Sequence, residues 1–147
     1  MLLLGSCFLS KNPELKSLTG EWNVVEITSD YKTFANEGGA NVTSSIVNKG
    51  SLGSFNFTKD RVNYEFTRND TLYTGNESWR LVTKMVNAGF IKVPEYTLYI
   101  DNKFHFNVRF GNSTKNSERN ATRATFTGME SNNSSVEIGM KLEKKIR

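Results

Sequence analysis

Lys103-Phe104-His105-Phe106-Asn107-Val108-Arg109-Phe110 decides the fold. Every second residue is large and apolar, and the residues between are polar or charged. Side chains of an extended strand point alternately to opposite faces, so this stretch has one dry face and one wet face. Two other stretches repeat the pattern. Val62, Tyr64 and Phe66 alternate with Arg61, Asn63, Glu65 and Thr67, and Val136, Ile138, Met140 and Leu142 alternate with Glu137, Gly139, Lys141 and Glu143. Half-wet strands of this kind belong to antiparallel sheets.

Working outward, less regular strands are expected at Glu21–Thr28, Gly53–Thr58, Thr71–Gly75 continuing through Ser78–Val86, Glu95–Ile100 and Thr122–Met129. Tight turns fall at Lys59-Asp60, Arg68-Asn69-Asp70, Asp101-Asn102 and Ser131-Asn132-Asn133, because Asp and Asn tolerate the left-handed backbone that such turns need. Three connections read as longer loops: the Gly-, Asn- and Ser-rich Ser29–Gly50, the apolar but Gly- and Pro-broken Val86–Pro94, and the polar Gly111–Ala121. About eight consecutive antiparallel strands favour closure into an up-and-down barrel, since closure removes exposed edges. The fold class expected is all-β, with a short N-terminal helical turn. Asn12 as N-cap, Pro13 at the first helical position and Glu14 in the first turn start that helix, which ends near Leu18.

The chain has 147 residues and a single cysteine, so it is one domain without an internal disulfide. Nineteen Lys and Arg against fifteen Asp and Glu give a net charge of +4, but the basic residues are interspersed with acids except near Lys141–Arg147. A nucleic-acid site needs a contiguous basic face, and none is expected. Asn-x-Ser/Thr triplets such as Asn41-Val42-Thr43 and Asn120-Ala121-Thr122 follow from the abundance of Asn, Ser and Thr.

The one cysteine, Cys7, follows Leu2-Leu3-Leu4-Gly5-Ser6. An apolar run ending in small residues before a cysteine resembles the lipobox of bacterial lipoproteins. The resemblance implies cleavage before Cys7 and acylation of its thiol, palmitate being the usual kind of chain. Residues 1–6 are then the remnant of a signal peptide, 7–18 a lipidated tether with the helical turn, and 19–147 the barrel domain. A secretory leader carries a basic start and about 7–15 apolar residues. No Lys or Arg precedes Lys11 here, so the start is expected to lie upstream or to have been trimmed. The expected location is the outer membrane of a bacterium, on its periplasmic or surface face, held by the N-terminal lipid. The tether spans at most about 40 Å when extended, which keeps the domain close to the bilayer.

No catalytic group is expected. His105 is the only histidine, and its parity places it on the wet face opposite Phe104 and Phe106. No nucleophile or orienting acid accompanies it, no cluster of metal ligands appears, and Gly38-Gly39 precedes no helix with a phosphate-binding signature. Neither a metal nor a cofactor is therefore expected, and the protein is not read as an enzyme.

Leu18-Thr19-Gly20-Glu21-Trp22 resembles the lipocalin motif, Gly-x-Trp opening the first strand after a short helical turn. Ser78-Trp79-Arg80-Leu81 is similar to a second Trp-bearing strand in the lipocalin-like domains of bacterial lipoproteins. Tyr96–Lys103 looks like the hairpin that follows, and Val136–Lys144 like the closing strand. The resemblance covers roughly 18–145. It implies that Gly20 and Trp22 form a barrel-end motif, with a basic side chain of the last strand, Lys141 or Lys144, laid across the indole. Lipocalins prefer Arg at that place.

The expected barrel interior contains Phe57, Tyr64, Phe66, Trp79, Phe104, Phe106, Phe110 and Phe126. Tyr31, Phe34, Phe90 and Ile91, in two of the long connections, are expected at a ligand portal. Two functions follow. In one, the membrane-anchored barrel binds a small hydrophobic or amphipathic ligand. In the other, its interior is filled by side chains, and it is a non-enzymatic interaction or structural lipoprotein. Small barrels are just wide enough for side chains to fill them.

Overall fold

The computed structural model describes residues 18–34, 40–111 and 122–145. Eight strands follow one another: β1 (Gly20–Phe34), β2 (Ala40–Phe57), β3 (Arg61–Arg68), β4 (Thr71–Ala88), β5 (Ile91–Ile100), β6 (Phe104–Gly111), β7 (Arg123–Glu130) and β8 (Asn133–Lys144). Each pairs antiparallel with the next, and β8 returns to β1, giving a closed up-and-down barrel. The helical turn expected from Asn12, and Cys7 with the residues before it, lie outside the described residues apart from Leu18.

Local chemistry explains the joints. Asn69 and Asp70 both take positive φ, 52° and 65°, as a tight two-residue hairpin turn requires. The turn at Asp101 is held by Lys103 N–H donating to the Ile100 carbonyl. The alternation in β3 is complete: Val62, Tyr64, Phe66 and Arg68 are buried, and Arg61, Asn63, Glu65 and Thr67 are exposed.

Two of the expected loops are corrected. Ser29–Gly50 is mostly ladder: β1 runs on to Phe34 and β2 starts at Ala40, with Thr28 facing Val47 and Tyr31 facing Ser44. Its Ser, Thr and Asn residues show no apolar alternation, yet pairing satisfies their backbone groups. Val86–Pro94 is a hairpin whose strands meet at Gly89-Phe90, with Val86 facing Val93 and Met85 facing Pro94. Pro94 lies beyond Tyr96–Val108, where the pairing of β5 with β6 ends. Its missing N–H therefore costs no ladder bond, as on any edge strand. Residues 112–121, in the third expected loop, are not among those described.

β4 changes partner midway. Thr71–Ser78 pairs with β3, and Trp79–Ala88 pairs with β5. Across from Tyr64 stands Gly75, where a Cβ would meet the Tyr64 ring at 2.5 Å. Glycine there lets the tyrosine lie flat over the strand, a device that restores packing on a bare backbone.

The strand stagger sets which elements share an end. A row starting at Trp22 runs through Phe55 and Tyr64 to Gly75 of β4. In the other direction it runs through Lys144 and Thr122. Carried on at the registers of β6 and β5, it reaches β4 near Asn87, so the shear is roughly twelve residues. β4 runs antiparallel to β1 in space, so its second half continues past the Trp22 end. The β4–β5 hairpin thus projects at the end where the chain enters β1, and the β1–β2 hairpin at the opposite end.

Candidate functional site

Three places have distinctive chemistry: the barrel interior, its Trp22 end and its opposite end. The interior is packed with rings. Phe55 stacks on Phe57, Tyr64 and Phe66 at centroid distances of 6.0, 5.7 and 5.4 Å, and meets Phe126 edge-on at 5.8 Å. Phe126 also stacks on Phe106 at 5.6 Å, Phe106 stacks on Phe104, and Trp79 sits edge-on to Phe57 at 5.2 Å. Phe57, Tyr64, Phe66, Trp79, Phe104, Phe106 and Phe126 are buried, whereas Phe110 is half-buried at the margin, edge-on to Tyr96. Phe55, at the centre of the stack, was absent from the expected interior. Its alternation with Phe57 across Asn56 is the signal that finds it.

Trp22 closes one end. It is fully buried, and its Nε1 donates to the Leu18 carbonyl at 2.8 Å. Lys144 faces it on β8 and holds its Nζ 5.4 Å from the ring centroid. Burial pushes the Lys144 ammonium below the ordinary lysine range. Gly20 has φ of +124°, which favours glycine, and a Cβ there would press on the Lys144 stem, 3.2 Å from its Cε. Lys141 has the opposite strand parity. It points outward and pairs with Glu26 at 3.4 Å.

The opposite end is polar. Arg68 is buried, and its Nη2 donates to the Tyr73 hydroxyl at 2.9 Å and to Glu130 Oε1 at 3.0 Å. Asn69 donates its backbone N–H to Asn48 Oδ1 and its Nδ2 to the Tyr31 hydroxyl, both within 3.0 Å. Neither Arg68 Nη1 nor Asn69 Oδ1 meets a protein partner. Beside this plug, a half-open cleft of about 470 Å³ separates the β4 edge at Leu72–Thr74 from the β5–β6 and β7–β8 turns, with Tyr64 and Phe104 among its lining. Sequence reading missed Arg68, although it occupies the buried parity of β3 after Val62, Tyr64 and Phe66.

The expected portal is not assembled. Tyr31 bonds to Asn69 at the polar end, while Phe90 and Ile91 are fully and largely exposed at the tip of the hairpin that projects past the Trp22 end. Phe34 ends β1, at the β1–β2 hairpin. Gly, Pro and Asn residues break the alternation in both segments, so the sequence predicts two loops over one barrel mouth. The shear of the barrel sends them to opposite ends.

Tyr64 gives this site a pH signature. Burial pushes its phenol above the ordinary value of 10.0; the Lys103 ammonium opposes the rise, and Glu77, Asp101 and Glu130 add to it. A folded-state value above the unfolded one contributes stability present below about pH 10, which is lost as pH rises through the folded value. Unfolding free energy should therefore fall from pH 10 upward, and Tyr64→Phe should fall less steeply. Equal slopes in urea unfolding between pH 9 and 11 would assign the loss elsewhere.

Among the described residues no group of His, Cys, Asp or Glu is arranged to hold a metal ion, and no helix is long and apolar enough to cross a membrane. His105 is half-buried on the outer face, with its ring 6.4 Å from Tyr99. Comparison with known protein families, curated proteins and solved structures finds no match to this chain.

Proposed function

We propose that this is a lipid-anchored bacterial lipoprotein whose lipocalin-like barrel serves as a rigid interaction or structural module. The observation that carries the reading is the ring stack. Phe55, Phe57, Phe66, Phe106 and Phe126 occupy the interior at 0–1% exposure, in the space a carrier keeps for its guest. Anchoring rests on the Leu-Leu-Leu-Gly-Ser-Cys run and the short tether after it. Labelled palmitate tests that part. The label should enter the parent protein and be lost in Cys7→Ser, with the domain released from the membrane fraction, since each buried methylene contributes about 0.8 kcal/mol to anchoring. A Cys7→Ser protein that keeps label and stays with the membrane would overturn it.

A specific observation favours ligand binding as a second reading. The cleft joins the aromatic rings of Tyr64, Tyr73 and Phe104 with polar side chains of Thr74, Asn102, Lys103 and Glu130, a lining suited to an amphipathic guest. Titration with a fluorescent fatty acid separates the two. The filled-barrel reading expects no saturable uptake. Stoichiometric uptake that Tyr73→Ala abolishes would place a small amphipathic ligand in the cleft instead.

A further inference from the structure

The β4–β5 hairpin beyond Thr83 is unlike the rest of the surface. Along it, Met85 and Pro94 lie on the face that continues the barrel interior, and Val86, Val93, Ala88 and Ile91 lie on the other. Phe90 stands at the turn, 110% exposed, and Ile91 and Met85 are 66% and 55% exposed. Between Met85–Pro94 and the turn, the inner face carries the polar pair Asn87 and Lys92, so the tip is apolar on its outer face and at its end, with a lysine on the inner face behind it. A projecting tip with an apolar end and a lysine directly behind it suits the boundary between acyl chains and headgroups.

Two further observations point to that boundary. The hairpin projects past the Trp22 end, where Leu18, the first described residue, meets Trp22, so the tip and Leu18 lie on the same side of the domain. The charges along it are Lys84, Lys92 and Glu95, a net excess of positive charge. Lys92 lies two residues from Phe90, about 7 Å along the strand, the depth at which a lysine stem reaches back to the headgroups. The hairpin has unpaired backbone groups along its outer edges, so only its tip can leave water.

We infer that the β4–β5 hairpin is a membrane-docking tip: Phe90 and Ile91 enter the interfacial layer of a bilayer carrying anionic headgroups, and Lys92 meets those headgroups. The orientation argument rests on the anchored reading proposed above; the exposure of Phe90 and Ile91 does not. With the lipid in place, the hairpin supplies the second of the two signals that stable anchoring takes, and it fixes the barrel's tilt to the surface.

The test uses the 147-residue chain carrying Cys7→Ser, so its outcome is independent of acylation. It is mixed with vesicles of phosphatidylcholine alone or with phosphatidylglycerol. Adding Phe90→Ser and Ile91→Ser should weaken capture by the anionic vesicles about tenfold or more, the loss expected for two large exposed apolar groups. Thermal unfolding should be unchanged, because both residues are exposed. Separately, the indole introduced by Phe90→Trp should shift to the blue on the vesicles and be quenched by brominated acyl chains. The proposal is overturned if no vesicle captures the protein, if the double serine variant is captured as well as its parent, or if the new indole stays unquenched on vesicles that hold the protein. Those results would leave the tip to a protein partner.

Discussion

Replacing Trp22 with alanine should lower the unfolding free energy by about 3–5 kcal/mol, the usual cost of deleting a buried aromatic side chain. Three contacts are lost together. The indole is fully buried against the start of the core, its Nε1 holds the Leu18 carbonyl, and Lys144 lies across its face. The change leaves a cavity at the end of the barrel, one carbonyl without its donor, and a partly desolvated ammonium without the ring beneath it. Urea unfolding followed by circular dichroism measures the effect, and Trp79 remains as a fluorescent reporter. A loss under about 1 kcal/mol would mean that Trp22 does not close the barrel, since such a value fits an exposed substitution.

Phe126→Ala should cost about as much, roughly 3–5 kcal/mol, and it should also create something new. Phe126 touches rings on two other strands, Phe55 and Phe57 of β2 and Phe106 of β6. Its removal opens a space walled by the rings of Phe55, Phe57 and Phe106. Apolar cavities of that kind stay dry and admit small guests such as benzene or xenon. Saturable benzene binding is expected in the variant and not in the parent, with a rise in melting temperature when benzene is added. Destabilisation without benzene binding would mean that neighbouring rings collapse into the space.

The sequence showed most where a strand has one dry face. β3, β6 and β8 are each read from alternation alone, because one side of each packs on the rings and the other meets water. β1 and β2 beyond Thr28 escaped, because Ser, Thr and Asn there are held by cross-strand pairing, which is not local in sequence. The β4–β5 tip escaped for the opposite reason: a ribbon outside the barrel has no dry face to impose a period. Gly89 was read as a break in a loop and is the hairpin turn itself. At the Trp22 end, parity decides between two lysines: position 144 continues the buried series Val136, Ile138, Met140 and Leu142, and position 141 does not. The ion pair of Arg68 with Glu130 joins residues 62 apart, so only the buried parity of Arg68 hinted at it.

The measurement that tests the account most directly is a set of aromatic proton contacts in the lipid-free protein in solution. With phenylalanine rings labelled, nuclear Overhauser effects should connect Phe126 on β7 with Phe55 and Phe57 on β2 and with Phe106 on β6. The corresponding ring centroids lie 5.6–6.3 Å apart, close enough for ring protons to couple. The contacts to Phe55 and Phe57 cross the barrel and exist only if the rings themselves fill it, whereas that to Phe106 joins neighbouring strands and serves as a control. A filled barrel predicts all three connections without any added ligand. Absence of the two contacts to β2, with Phe126 instead showing contacts to the acyl protons of a co-purified lipid, would contradict the account and make the barrel a carrier.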